Sequence, residues 1–409
     1  MAATGDAFPE TGRAAPLAIF AVFTRLGLTS FGGPIAHLGY FRQEFVVRRR
    51  WLGEAAYADL VALCQFLPGP ASSQVGFAIG AARGGLWGAL AAWLGFTWPS
   101  AVAMVLFAYG ATRLDGPLAT GVLHGLMLVV VGVVAQAVIG MARTMCPDAP
   151  RAAIAALAAV IVFLAGSALG QIAAIALGAA AGMAIARGTP PAASPNGHRD
   201  PLPAPVSARD GGILLAVVPL LLIALWLAES LGIGGHAVAL VSAFYRSGAL
   251  VFGGGHVVLP MLDQAVVATG WVPAADFLAG YGAAQAVPGP LFSFAAFLGA
   301  VGPPPNGWPG AILALFAIFL PGLLLVLGAL PYWEAVRRMA RARAALAGVN
   351  AAVVGILAAA LYDPLWTGAV HAAADAALAL AFLGLLLLRL PPWLVVLLGV
   401  AVGAAGAGL

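Results

Sequence analysis

The chain has 409 residues, of which 62% are hydrophobic and only 8% charged, with a formal net charge of +4. A soluble domain carries about 25% charged residues, so this composition cannot clothe a water-facing surface, and a mean hydropathy of +1.01 assigns the chain to the membrane. The small net charge gives no basis for nucleic-acid binding, and two isolated cysteines, Cys64 and Cys146, give none for a disulfide or a thiolate metal site.

Residues 1–16 read as an N-terminal tail, without the n-region, h-region and cleavage site of a removable signal peptide. The first apolar helix carries Arg25 and ends at Phe31-Gly32-Gly33-Pro34. An arginine inside a span costs roughly 3 kcal/mol on insertion scales, so it is expected to face a cavity or a partner. Glycines let backbone approach closely, and a helix restarting there offers free N–H groups and a positive dipole end to an anion. The next piece sets Ile35, Leu38, Phe41 and Phe45 on one helical face with His37, Arg42 and Glu44 off it, and is expected to lie in the interface plane.

Two short apolar segments follow, Ala55–Leu67 and Ala71–Ala82, split by Pro68-Gly69-Pro70. Each reaches about 18 Å as helix, too short for a hydrocarbon core of ~30 Å. A re-entrant hairpin with its tip in the membrane is therefore expected. The first proline stops one helix and the second suits the first turn of the next. Gln65 lies one turn before this tip, and Ser72, Ser73 and Gln74 lie just after it. Apolar runs at Leu86–Gly110, Leu118–Met141 and Ala152–Ile185 complete the half, the last as one bent span or two short ones. The Pro-rich, polar stretch 188–210 reads as an extramembrane linker between a repeat at 17–187 and another at 211–409.

The second half restates the first. Phe23, Arg25, Gly27, Phe31, Gly32 and Gly33 recur as Phe244, Arg246, Gly248, Phe252, Gly253 and Gly254 at an offset of 221, with Gly255 where the first half has Pro34. Gln65 and Pro68-Gly69-Pro70 recur as Gln285 and Pro288-Gly289-Pro290 at an offset of 220, between Ala274–Val287 and Leu291–Val301. Ser293 follows the second tip, Pro99 answers Pro321, and Gly125–Gly132 answers Gly348–Gly355. Such a duplication in an apolar chain points to a transporter built from two related halves. Arg48, Arg49 and Arg50 have no basic counterpart in the second half, and Arg337, Arg338, Arg341 and Arg343 have none in the first. Basic loops favour the cytoplasm, so equivalent loops lie on opposite sides and the repeats are inverted. The expected fold is an all-α polytopic membrane protein of two inverted halves, each with a broken hairpin at its Pro-Gly-Pro tip.

Arg25 and Arg246 read either as structural arginines or as two guanidinium forks facing one dianion. Glu44, Asp59 and Asp263 read as ion-pair partners of Arg25, Arg42 or Arg83 ahead of proton carriers, and Asn350 as an interhelical hydrogen-bonding group. Six histidines without His-x3-His spacing argue against a metal site. No nucleophile elbow, phosphate-binding loop or carboxylate pair supports an enzyme or a cofactor. A non-transporting scaffold or sensor is the reading from another class; it has no need of polar groups at membrane depth.

On Phe31-Gly32-Gly33-Pro34, Gln65 through Pro70, Phe252-Gly253-Gly254-Gly255 and Gln285 through Pro290, the chain resembles the chromate ion transporter family in its long two-domain form. The resemblance spans nearly all of 17–187 and 211–409. It implies proton-motive-force-driven efflux of chromate across a bacterial inner membrane, conferring resistance, by halves of opposite topology. The substrate-binding set then expected is Arg25, Arg246, Gln65, Gln285, Gly32, Gly33, Gly253, Gly254, Ser72 and Ser73. Its partners are the oxyanion, the bilayer, a coupling proton and a second copy of the chain in a homodimer. Sulfate is a tetrahedral dianion of similar size, so transport of sulfate or another oxyanion is the alternative. Moving two negative charges outward gains roughly 4.6 kcal/mol at 100 mV, which favours export. Pro34 against Gly255 departs from strict repetition, so the halves need not contribute equally.

Overall fold

The computed structural model describes residues 14–111, 116–186, 205–252 and 255–406, which are helical with no strand among them. The first half comprises α1 (Pro16–Thr29), α2 (Gly33–Phe41) running into a π-helical turn (Arg42–Arg48), α3 (Glu54–Phe66), α4 (Ala71–Ala111), α5 (Pro117–Met145), α6 (Ala149–Ala165) and α7 (Ala168–Ala186). After α8 (Ala208–Ser230), the second half comprises α9 (Gly235–Leu250), a 3-10 turn (Gly255–Val257) into α10 (Val258–Leu262), α11 (Ala274–Ala286), a 3-10 turn (Leu291–Ser293) into α12 (Phe294–Val301), and α13 (Gly307–Ala329). The chain closes with α14 (Trp333–Arg338), α15 (Ala340–Ala360), α16 (Thr367–Ala369), α17 (Ala373–Leu387) and α18 (Pro392–Gly406). Five helical stretches, Ala71–Gly110, Pro117–Met145, Ala208–Ser230, Gly307–Val336 and Ala340–Ala369, are long and apolar enough to cross a membrane.

Glycine breaks set the path. Gly84 and Gly85, with φ of −137° and 63°, divide α4 into residues 71–83 and 86–111. Gly166, with φ of 55°, separates α6 from α7, so the run Ala152–Ile185 forms two helices. α1 lies beside the second part of α4 and points the same way: Ala14 N–H donates to the Arg83 carbonyl at 3.0 Å, and Gly27 seats against Gly95 and Phe96 farther along. The chain between them must therefore return to the face where α1 begins. It does so twice, because the guanidinium carbons of Arg49 and Arg83 lie 5.5 and 5.3 Å from the Trp51 ring centroid. α1 with α2 makes one hairpin from that face, and α3 with residues 71–83 makes the other, in the broken form the Pro-Gly-Pro tip requires.

The segment after the first glycine break does not lie in the interface plane. Phe41, Phe45 and His37 are fully buried, in a ladder in which Phe45 stacks between Phe23 and Trp51 and Phe41 meets Phe96 at 5.1 Å. The aromatic faces find a protein partner in α1 and α4, which is better packed than headgroup. Its charges gather at the end nearest solvent, where Arg48 and Arg49 pair with Glu44 at 3.0 and 2.6 Å, and Arg42 with Glu54 at 2.7 Å.

The halves are inverted. Gly248 seats on the Ile318 carbonyl as Gly27 does on Phe96, so α9 packs on α13 as α1 packs on α4. The second part of α4 and its equivalent α13 run antiparallel: Trp93 meets Phe316 and Phe319, while Tyr109 near the far end of α4 abuts Gly307 at the start of α13. α8 has no counterpart among the described residues; it starts where α13 ends, Tyr332 Oη donating to the Ala208 carbonyl at 2.5 Å, and its single crossing turns the second half over. Each half also lends its last two helices to the other. α17 and α18 pack on α5, and α6 and α7 pack on α15. The paired glycines of the long helices receive them: Gly125 meets Gly399, Gly132 meets Phe382, Gly348 meets Gly178, and Gly355 meets Ala155. Small residues let backbones touch where lipid offers no hydrophobic drive for association.

These directions place Arg48–Arg50, Arg143, Arg151, Arg341, Arg343 and Arg389 at one face. The connections at the opposite face carry Glu229, Asp276, Asp363 and Asp375 and, among the described residues, no arginine. The basic face is therefore expected to be cytoplasmic. Single cysteines replacing Arg50 and Arg389 should resist a membrane-impermeant thiol reagent added to intact cells, whereas one replacing Ser230 should react. Labelling of Arg50 and Arg389 positions on opposite sides would refute the arrangement.

Candidate functional site

The two tips cross at the middle of the molecule. Gly69 N–H donates to the Val251 carbonyl at 2.7 Å, and Gly289 N–H donates to the Ser30 carbonyl at 3.0 Å. Ser30 and Val251 are equivalent positions just before the two glycine breaks, so each tip is bonded to the break of the other half. Gly69 and Gly289 have φ of 120° and 104°, open to glycine alone, and a Cβ on either would press on the proline-containing helix of the other half, at Gly322 Cα (3.0 Å) or Ser100 Oγ (2.9 Å). The breaks themselves face each other: a Cβ on Gly255 would sit 3.2 Å from Pro34 Cγ. Four helical segments begin here, at Gly33, Ala71, Gly255 and Leu291. Their first N–H groups lack intrahelical partners and their dipoles present positive ends.

The side chains are far less symmetric than the backbone. In the first half the centre holds Ser30, His37, Ser72, Ser73, Gln74, Thr97 and Ser100, all buried. Their register mates are Val251, Val258, Phe292, Ser293, Phe294, Phe319 and Gly322, so only Ser73 keeps a polar counterpart. His37 bridges the Ser30 carbonyl and Ser72 Oγ at 3.2 and 3.4 Å. Gln74 Nε2 donates to the carbonyls of Pro68 and, across the halves, Gly322, both at 2.9 Å. Ser30 Oγ, Ser73 Oγ, Gln74 Oε1 and Thr97 Oγ1 are buried with no hydrogen-bond partner in the protein. Buried polar atoms are normally satisfied, so these four keep bonding capacity that the protein does not use.

Of the residues singled out from sequence, Ser72 and Ser73 fall at this centre; Gly32 and Gly33, with φ of 99° and 74°, form the break beside it, Gly32 exposed and Gly33 half-buried. Gly253 and Gly254 lie outside the described residues. Gln285 is half-buried with Nε2 unpartnered, and Gln65 is exposed. Arg246 is half-buried in a cleft with Gln171, Ser247 and Gln264. Arg25 is exposed in a separate groove with Thr24 and Leu28 on α1. The two arginines thus line different pockets. Glu44 pairs with Arg48 and Arg49 rather than with Arg25, Arg42 or Arg83, because its π-helical turn carries those arginines four and five residues on. Asp59 and Asp263 are buried, and Asp263 Oδ1 has no hydrogen-bond partner. Asn350 Oδ1 likewise is buried without one, and both cysteines are free. Ser30, Thr97 and Ser100 escaped sequence reasoning; the one signal was their nearness to a break or to Pro99.

Inverted halves whose broken helices cross over a buried polar centre have the architecture of a membrane transporter of the inverted-repeat class. The sequence profile described as "Chromate transporter" matches residues 17–183 and again 238–404, and the chain belongs to that family. A chromate transport protein of Pseudomonas aeruginosa is 27% identical over 357 residues, covering 84% of this chain and 80% of its own length. A probable chromate transport protein of Synechococcus elongatus is 28% identical over 342 residues, covering 83% and 82%. An uncharacterised transporter of Methanocaldococcus jannaschii is 23% identical over 361 residues, covering 87% and 85%. No solved structure matches the chain.

Proposed function

We propose that this protein exports chromate across a bacterial inner membrane by alternating access, drawn outward by the electrical part of the proton-motive force, and so confers resistance. The convergence of four helix starts on one buried polar centre carries the reading, because backbone N–H groups and hydroxyls bind a tetrahedral oxyanion without a fixed countercharge. The anion sits between the glycine breaks and the Pro-Gly-Pro tips, with Ser72, Ser73 and Gln285 as side-chain donors. Arg25 and Arg246 serve it in turn rather than together. By the inversion, Arg25 stands between the basic face and the centre, and Arg246 between the opposite face and the centre. Each attracts the dianion on its own side.

Proteoliposomes loaded with chromate test the proposal. Outward flux should rise when the exterior is made positive, and Arg25→Ala or Arg246→Ala should slow it at least about tenfold, the effect of losing some 1.4 kcal/mol of stabilisation. No flux above protein-free vesicles would reject transport. Equal competition by sulfate and molybdate would widen the substrate to tetrahedral dianions as a class, since these donors do not distinguish the ions.

A further inference from the structure

We infer that His37 is the proton-sensing residue of the centre: on gaining a proton it releases the Ser72 hydroxyl to bind the anion. This rests on the anion-binding reading above. The His37 ring is fully buried and held edge-on to Phe96, with centroids 5.2 Å apart. Nε2 lies 3.2 Å from the Ser30 carbonyl oxygen. A carbonyl only accepts, so Nε2 carries its hydrogen whether the ring is neutral or charged. Nδ1 lies 3.4 Å from Ser72 Oγ. In the neutral ring Nδ1 is an acceptor, and the Ser72 hydroxyl hydrogen is directed at it. A proton on Nδ1 makes that nitrogen the donor and Ser72 Oγ the acceptor, so the hydroxyl hydrogen must turn away.

Ser72 stands in the first turn of α4, beside N–H groups with no intrahelical partner and next to Ser73, whose Oγ is buried and unpartnered. One proton therefore adds a positive charge and frees a donor at the same place. Both effects favour an anion, and by reciprocity a bound anion favours the proton. The device is built once, since the second half has Val258 and Phe292 at the matching positions. The groups facing the ring are Ser30 of α1 and Ser72 and Phe96 of α4. Charged residues on the elements packed against α2 lie elsewhere along them: Arg25 on α1, Arg83 on α4, Arg42, Glu44 and Arg48 on the π-helical turn, and Glu54 and the buried Asp59 on α3, whose Tyr57 donates to the Leu38 carbonyl. A dianion leaving with this proton moves half the charge of a bare one.

Sulfate is the suitable probe because it stays a dianion across the range in which histidine titrates. Its dissociation constant is measured on the purified full chain between about pH 4 and 8, a range that covers an imidazole held in a buried site as well as a free one. In wild type the constant should fall as pH falls, by up to about tenfold per pH unit where one proton is linked. His37→Gln, which can still donate to the Ser30 carbonyl, should bind sulfate with no pH dependence. Ser72→Ala, with His37 intact, should lose at least half of the wild-type slope. Sulfate added in weak buffer should draw protons onto wild type and not onto His37→Gln. A flat wild-type profile, or a wild-type slope in either variant, would overturn the inference and leave anion transport standing. Wild type binding neither sulfate nor chromate would instead reject the anion-binding reading, and this one with it.

Discussion

Gly69→Ala and Gly289→Ala are each expected to cut anion flux in proteoliposomes to below about a tenth of wild type, given that 1.4 kcal/mol already amounts to a factor of ten. Their φ angles of 120° and 104° lie where an L-residue is strained, at a cost of roughly 1–2 kcal/mol for left-handed backbone. The added Cβ has no room: at Gly69 it meets Gly322 Cα and Gln74 Nε2 at 3.0 Å, and at Gly289 it meets Ser100 Oγ at 2.9 Å. At Gly69 one obstacle, Gly322 Cα, is backbone and cannot swing aside; at Gly289 the obstacle is the short Ser100 side chain, whose Cβ also lies 3.2 Å from the new Cβ. Relief requires the tip to withdraw: at Gly69 that strands the Val251 carbonyl, and an unsatisfied buried acceptor costs about 1–3 kcal/mol, while at Gly289 it breaks the bond to the Ser30 carbonyl, which keeps only His37 Nε2. Gly270→Ala is the control, because Gly270 has φ of 75° but lies exposed with nothing within 4 Å of the new Cβ. It should keep most activity. Tip variants as active as Gly270→Ala would show that the crossing does not matter to transport.

Gly348→Leu and Gly125→Leu should abolish the folded, monodisperse species in detergent. A Cβ on Gly348 falls inside the contact distance of the Gly178 carbonyl oxygen, and one on Gly125 inside that of the Gly399 carbonyl oxygen. Overpacking a core costs about 1–3 kcal/mol, occasionally more, and here both sides of the clash are backbone. α6 and α7 would leave α15, or α17 and α18 would leave α5, uncoupling the halves at their exchanged helices. Gly140→Leu serves as the comparison on α5, since nothing lies within 4 Å of its added Cβ. Fluorescence-detected size exclusion after a heating series reads the outcome. Survival of Gly348→Leu and Gly125→Leu to the same temperature as Gly140→Leu would disprove the interlock.

Much of the local course was legible because proline and glycine act through their own covalent geometry. The hairpin segments read from sequence as Ala55–Leu67 and Ala274–Val287 correspond to α3 (Glu54–Phe66) and α11 (Ala274–Ala286), ending where Pro68 and Pro288 remove a donor. Inversion was visible in the unmatched arginine clusters, since loop charge acts on each loop separately. The fate of Phe41 and Phe45 was not. An amphipathic helix carries the same apolar stripe whether headgroup or another helix covers it, and nothing local distinguishes the two.

The chain's own pattern was enough for the membrane class, the duplicated halves, the breaks and the tips, because each follows from residue type and spacing along one stretch. Which polar residues meet was settled only by packing. Arg25 and Arg246 match in register yet occupy separate pockets, because inverted repeats carry equivalent helices in from opposite faces. His37 and Ser72 are 35 residues apart and meet through the return of two hairpins to one centre. That the centre is polar on one side and aromatic on the other emerges when Ser72 is set against Phe292 and Gln74 against Phe294 across a shared crossing. A duplication repeats the backbone path, while each half's side chains respond to the neighbours that the assembled fold brings them.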